Sequence, residues 1–136
     1  MTDDCEFCRI AAGERSAHVL AETDRTVAFL DENPAVTGHA PVVPREHTEE
    51  LLTTDEAVSS AVFETVQRVA NAIEETLDPE GFSVFHTSGP LVGSVEHAHV
   101  HLLPRTAEDG VSVSLTRDRL DPETAATLTD RVREVL

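Results

Sequence analysis

Apolar and polar positions change period several times along this chain. Val58, Val62, Val66, Val69, Ile73 and Leu77 recur at three- or four-residue spacing, which predicts one helix with a single buried stripe. Thr53 and Glu56 form a candidate capping box before it, and Asp78-Pro79-Glu80-Gly81 stops it. Upstream lie shorter apolar runs, from His18 to Ala21 and from Thr26 to Leu30, parted by Glu22-Thr23-Asp24-Arg25, which reads as a hairpin. A loop follows from Asp31 to Gly38, then a third strand from His39 to Val43, ended by Pro44. Phe82 to Phe85 reads as a fourth strand and Val95 to Leu103 as a fifth, with a loop from Thr87 to Gly93 between them. Cys5 to Gly13 is a short helical lead-in. Asp121-Pro122 opens a terminal helix carrying Leu128, Val132 and Leu136, and Val111 to Leu115 is a candidate edge strand. The fold class expected is α+β: a five-stranded, largely antiparallel sheet with two main helices, in one domain spanning residues 1–136.

Composition narrows the setting. The net charge is -16, and all ten basic residues are Arg. A dispersed acidic surface repels phosphates, which argues against duplex nucleic acid as a partner. An acidic surface without Lys also fits a halophilic, salt-rich cytoplasm, where salt screens the self-repulsion. No apolar run is long enough to cross a membrane, and Met1-Thr2-Asp3-Asp4 opens no signal-peptide stretch, so a cytoplasmic location is expected.

The chemistry concentrates in His97-Ala98-His99-Val100-His101-Leu102-Leu103. On a strand, alternate residues share a face, so the three imidazoles point one way while Ala98, Val100 and Leu102 point to a core. Three imidazoles on one face need polar partners if buried. The plainer alternatives are a solvated polar face or a fortuitous metal-binding strip. An imidazole can also attack phosphorus, with its neighbours setting its tautomer and donating to phosphate oxygens.

His-x-His-x-His, two apolar residues and then Pro104-Arg105 resemble the signature of the histidine triad family. Cys5-x-x-Cys8-Arg9-Ile10 through Gly13-Glu14 is similar to the opening of its nucleotide-binding branch. Phe29-Leu30-Asp31, Pro34, Gly38-His39, Val43-Pro44 and His47 are similar to the middle strands of that branch. The resemblance implies that His99 is the nucleophile. It would take a nucleoside monophosphate from a phosphoramidate, an acyl-adenylate or a dinucleoside polyphosphate and then lose it to water. It also implies phosphate contacts from His101 and Ser94, a further active-site histidine at His39, ribose recognition by Asp31, and a base pocket lined by Phe7, Ile10 and Phe29. Core packing is the ordinary alternative for those three apolar residues. The partner implied is a purine nucleotide or nucleoside phosphoramidate, and the assembly implied is a homodimer using the long helix and a sheet edge.

Two positions depart from the family pattern: Gly93 stands where Gln is usual, and His86 where Asn is common. The first keeps open a nucleotide-binding regulatory module with little turnover, and a dinucleoside polyphosphate hydrolase is a third reading. His86 is either a functional replacement for the amide or a surface histidine. His18 and Arg105 read as surface residues, and Glu49-Glu50 and Asp55-Glu56 as solvated charges near a helix start.

Cys5-x-x-Cys8 alone is compatible with a redox pair, a disulfide or half a zinc site. Family members with this pair hold zinc through both Cys, a His after the third strand and the first triad His. The matching positions here are Cys5, Cys8, His47 and His97, a thiolate–imidazole set suited to a structural zinc.

Overall fold

The computed structural model describes residues 5–88 and 97–136. Five strands form one antiparallel sheet: β1 (Val19–Glu22), β2 (Thr26–Phe29), β3 (Ala40–Pro44), β4 (Gly81–Phe85) and β5 (Val100–Arg105), in the spatial order β1-β2-β3-β5-β4. The helices are α1 (Glu6–Ala11), α2 (Glu56–Leu77) and α3 (Pro122–Val135). The α+β expectation and its sheet therefore hold. Among the described residues, no helix is long and apolar enough to cross a membrane.

Alternation along each strand sends side chains to two different cores. Ala28, Val42, Val100 and Leu102 face α2, where Val58, Val62, Val66, Val69 and Ile73 complete the larger cluster. Val27, Phe29 and Val43 face the other way and pack with Cys5, Phe7 and Ile10 of the N-terminal segment. Covering both faces explains why every residue of β2 and β3 is buried. A buried hydroxyl pair ties α2 to β2, with Thr65 Oγ1 2.6 Å from Thr26 Oγ1.

The connections show why these elements end where they do. Asp78 adopts a left-handed φ of 49° and its N–H closes α2 on the Glu74 carbonyl. Gly38, at φ 91°, sits so close to Leu77 and Pro104 that an added Cβ would lie 3.0 Å from each. Glycine is therefore required there on two counts, handedness and space.

Several sequence expectations need correction. The cap of α2 is Asp55, whose side chain accepts the Ala57 N–H, rather than a Thr53–Glu56 box. Thr53 instead donates its N–H to the Glu50 carboxylate, which already fixes the turn before the helix. Strand β5 begins at Val100, not Val95; residues 95–96 lie outside the described residues, and 97–99 form a bend. That bend is unpaired because its backbone finds other partners: the Ala98 N–H donates to the Thr48 carbonyl at 2.6 Å and the His99 carbonyl meets His86.

Val111 to Leu115 forms no strand. The Val111 N–H donates to Asp109 and its carbonyl accepts from Arg105, so both groups are taken by a local ion pair. Arg105 is accordingly a structural clamp that also reaches Ser83 Oγ. Helix α3 forms as expected, capped by Asp121 on the Thr124 N–H, but none of its residues is buried. Leu128 and Val132 are 57% and 45% exposed, so their stripe packs on neither core.

Candidate active site

The face of the sheet opposite α2 carries a cleft of about 870 Å³. Phe7 and Ile10 from α1, Phe29 from β2, Asp31 from the following loop, and His99 and His101 all line it. The structure thus brings together six of the side chains singled out in the sequence. His39 stands behind them, hydrogen-bonded to His101. Ser94 and Gly93 lie outside the described residues. Arg15 and Glu6, which the sequence did not single out, also line the cleft, as does His18, which reads from sequence as a surface residue. His18 is indeed exposed, and its isolation in sequence gave no sign that β1 begins beside the cleft.

Partners that can only donate or only accept fix the imidazole protons. The Ala35 N–H lies 3.0 Å from His39 Nδ1, so Nδ1 is the acceptor and neutral His39 carries its proton on Nε2. That Nε2–H donates to His101 Nδ1 at 2.9 Å, which leaves the proton of His101 on Nε2. His99 follows a separate rule. Its Nδ1 is 2.8 Å from the His97 carbonyl, which can only accept, so Nδ1 carries the proton and Nε2 keeps its lone pair. The two neighbours therefore offer opposite functions: an N–H donor on His101 and a free nitrogen on His99.

Burial favours the neutral forms of His101 and His39. Desolvation first, then the neighbouring His99 and His39 rings, pushes the His101 imidazole down to about 4. Burial also lowers His39, against an opposing pull from Asp31 3.6 Å away. Asp31 Oδ1 accepts the Asn33 N–H at 2.9 Å, which orients the carboxylate from within its own loop. Phe7 meets the His99 ring edge-on, with centroids 4.9 Å apart, and meets Phe29 similarly at 5.5 Å.

A second cluster adjoins the first. Cys5 Sγ and Cys8 Sγ each lie 3.3 Å from His97 Nδ1, and Cys8 Sγ lies 3.2 Å from His47 Nδ1. The four donor atoms lie within 4.8 Å of one another and can hold a metal ion. The His97 Nε2–H donates to the Pro44 carbonyl at 2.7 Å, which leaves the Nδ1 lone pair aimed at the thiols. Both cysteines are free thiols, so the disulfide alternative is not what this geometry contains. Burial first, then the hydrogen bond from its neighbour Cys5, pushes the Cys8 thiol up to about 11. A cation would reverse that balance by favouring thiolate.

The HIT domain family model matches residues 12–108. The chain is 31% identical over 130 residues to the adenosine 5'-monophosphoramidase of Schizosaccharomyces pombe, covering 94% of this chain and 95% of that protein. A crystal structure of a HIT family member from Bacillus subtilis superposes with a TM-score of 0.88 at 26% identity, covering 98% of this chain and 97% of that one. A zinc-bound histidine triad family protein from Mycobacterium smegmatis superposes with a TM-score of 0.75 at 28% identity, covering 99% and 97%. With that match spanning all five strands of the sheet, the chain belongs to the HIT domain family.

Proposed function

We propose that this protein hydrolyses nucleoside phosphoramidates, or closely related nucleoside–phosphate bonds, through a nucleotidylated His99. The observation that carries this reading is the paired tautomers: the lone pair of His99 Nε2 and the N–H of His101 belong to rings 4.6 Å apart in one cleft. In the first step His99 Nε2 attacks phosphorus, the P–N bond breaks, and the amine leaves with a proton from solvent. The hydrogen bond from His99 Nδ1 to the His97 carbonyl strengthens as the ring gains positive charge. His101 Nε2–H donates to a phosphate oxygen. Water then cleaves the His–P bond, releasing the nucleoside monophosphate and restoring the neutral ring.

Asp31 receives the ribose hydroxyls, and Phe7, Ile10 and Phe29 enclose a purine. Ser94 adds a phosphate contact. The phosphoramidase named among the relatives supports the reaction class.

The Cys5, Cys8, His47 and His97 cluster holds a structural zinc. Its two thiols and two imidazole nitrogens, with three S–N separations of 3.2–3.3 Å and all four donors within 4.8 Å, suit tetrahedral coordination. When bound, the ion supplies a fixed cross-link between the N-terminal segment and the residues before β5. The protein acts in the cytoplasm as a homodimer. Support for the interface comes from exposed Phe63 on α2 and Val84 on the edge strand β4, 48% and 45% exposed.

The test is release of monophosphate from adenosine phosphoramidate in high salt by the wild type and His99→Ala. Turnover that the substitution abolishes supports the reading, and equal slow rates sink it. Nucleotide binding without turnover would identify a regulatory module instead. A dinucleoside polyphosphate cleaved faster than the phosphoramidate would reassign the substrate.

A further inference from the structure

His86 follows the last residue of β4 and lies between two loops that no strand pairing joins. Its Nε2 is 3.2 Å from the Leu51 amide nitrogen, and its Nδ1 is 3.1 Å from the His99 carbonyl oxygen. An amide N–H only donates, so Nε2 must accept; a carbonyl only accepts, so Nδ1 must carry the proton. Both nitrogens are occupied, and the ring is held in the tautomer that free imidazole side chains favour less. Leu51 is 4% exposed, so its N–H depends on this partner.

We propose that His86 is a positioning residue that holds the backbone of His99 against the loop before α2, setting the line along which His99 Nε2 meets phosphorus. The proposal rests on the reading of His99 as nucleophile. The residues on either side are tied already, Ala98 by its N–H on the Thr48 carbonyl and Val100 by its pairing with Val42. His86 supplies the tie at the His99 peptide itself. An angstrom of slack there is transmitted directly to the attacking nitrogen.

An imidazole can span this gap because its two nitrogens lie at different distances from Cβ and their hydrogen-bonding directions diverge. An amide carries its oxygen and nitrogen at one distance from Cβ, so it reaches only one of the two partners. Asn places its amide at the level of Nδ1 and Gln at the level of Nε2. His86→Asn therefore keeps the donor to His99, and His86→Gln keeps the acceptor for Leu51. The pair separates catalytic positioning from loop packing.

Two measurements test this on the full chain. Long-range proton–nitrogen correlation spectra of the wild type should show His86 protonated at Nδ1 and not at Nε2 at neutral pH. In adenosine phosphoramidate kinetics, His86→Ala should lower kcat about tenfold with KM changed by less than about twofold. His86→Asn should recover most of that loss while His86→Gln remains near the Ala value. An Nε2–H tautomer at His86 overturns the proposal, as does unchanged kcat in His86→Ala or equal recovery by Gln and Asn. If His99→Ala turns over as fast as the wild type, the nucleophile reading fails, and the spectrum alone still decides whether the bridge exists.

Discussion

His39 Nε2 lies 2.9 Å from His101 Nδ1, and that contact decides which nitrogen of His101 carries the proton. The chain of consequence begins at the Ala35 N–H, a group with no titration of its own. Replacing His39 by Ala should release His101 into a mixture of tautomers and lower kcat roughly tenfold. His39→Gln, which keeps an N–H at the level of Nε2, should retain more activity than His39→Asn, which is too short. Nitrogen chemical shifts of His101 alongside turnover in the three variants check this.

The same burial gives stability a defined pH dependence. The unfolded chain takes up a proton on His101 near the ordinary 6.5, and the folded protein does so only near about 4. Between those values the unfolded state binds more protons, so stability is complete above pH 6.5 and falls as pH drops through the window. The loss attributable to His101 is at most about 3 kcal/mol, and His39 adds to it in the same direction. Urea unfolding of the wild type at pH 7 and pH 4.5 should show this loss. His101→Asn should show a shallower one.

Metal loading should release protons. The Cys8 thiol, raised to about 11, is protonated at neutral pH and must lose its proton to become a ligand. Zinc added to chelator-treated protein should displace about one proton from this residue, read from the buffer dependence of the binding enthalpy. Cys5→Ser should weaken metal retention and lower Tm by roughly 5 °C or more. Elemental analysis and a thermal melt report both effects.

Asp31 offers a cleaner test of nucleotide recognition than an alanine substitution at the same place. Its Oδ1 accepts the Asn33 N–H, so removing the carboxylate would disturb the loop as well as the ligand. Asp31→Asn keeps one acceptor oxygen for that bond and removes the charge. Binding of adenosine monophosphate should weaken about tenfold, with a smaller change in kcat. Titration calorimetry and steady-state kinetics separate the two.

Much of this architecture can be read from periodicity, and the exceptions share a cause. The stripe from Val58 to Ile73 and the alternation of Ala98, Val100 and Leu102 both lead to the α2-facing core. The start of β5 misled because the backbone of residues 97–99 is diverted to Thr48 and His86, far away in sequence. Asp55 displaced Thr53 as the cap because the Glu50 carboxylate already holds the Thr53 N–H. The candidate metal cluster joins Cys5 to His97 across 92 positions, and local spacing carries only its Cys-x-x-Cys half. Sequence leaves His86 between a functional and a surface role for the same reason: both of its partners are backbone groups of other loops.

The Arg105–Asp109 clamp sits beside the end of the family match at residue 108. Beyond it, α3 and the segment leading to it contribute no residue to either core. The clamp is thus a seam at which one module closes its accounts with solvent. Within a single chain, that tail can change without re-solving the packing of the sheet.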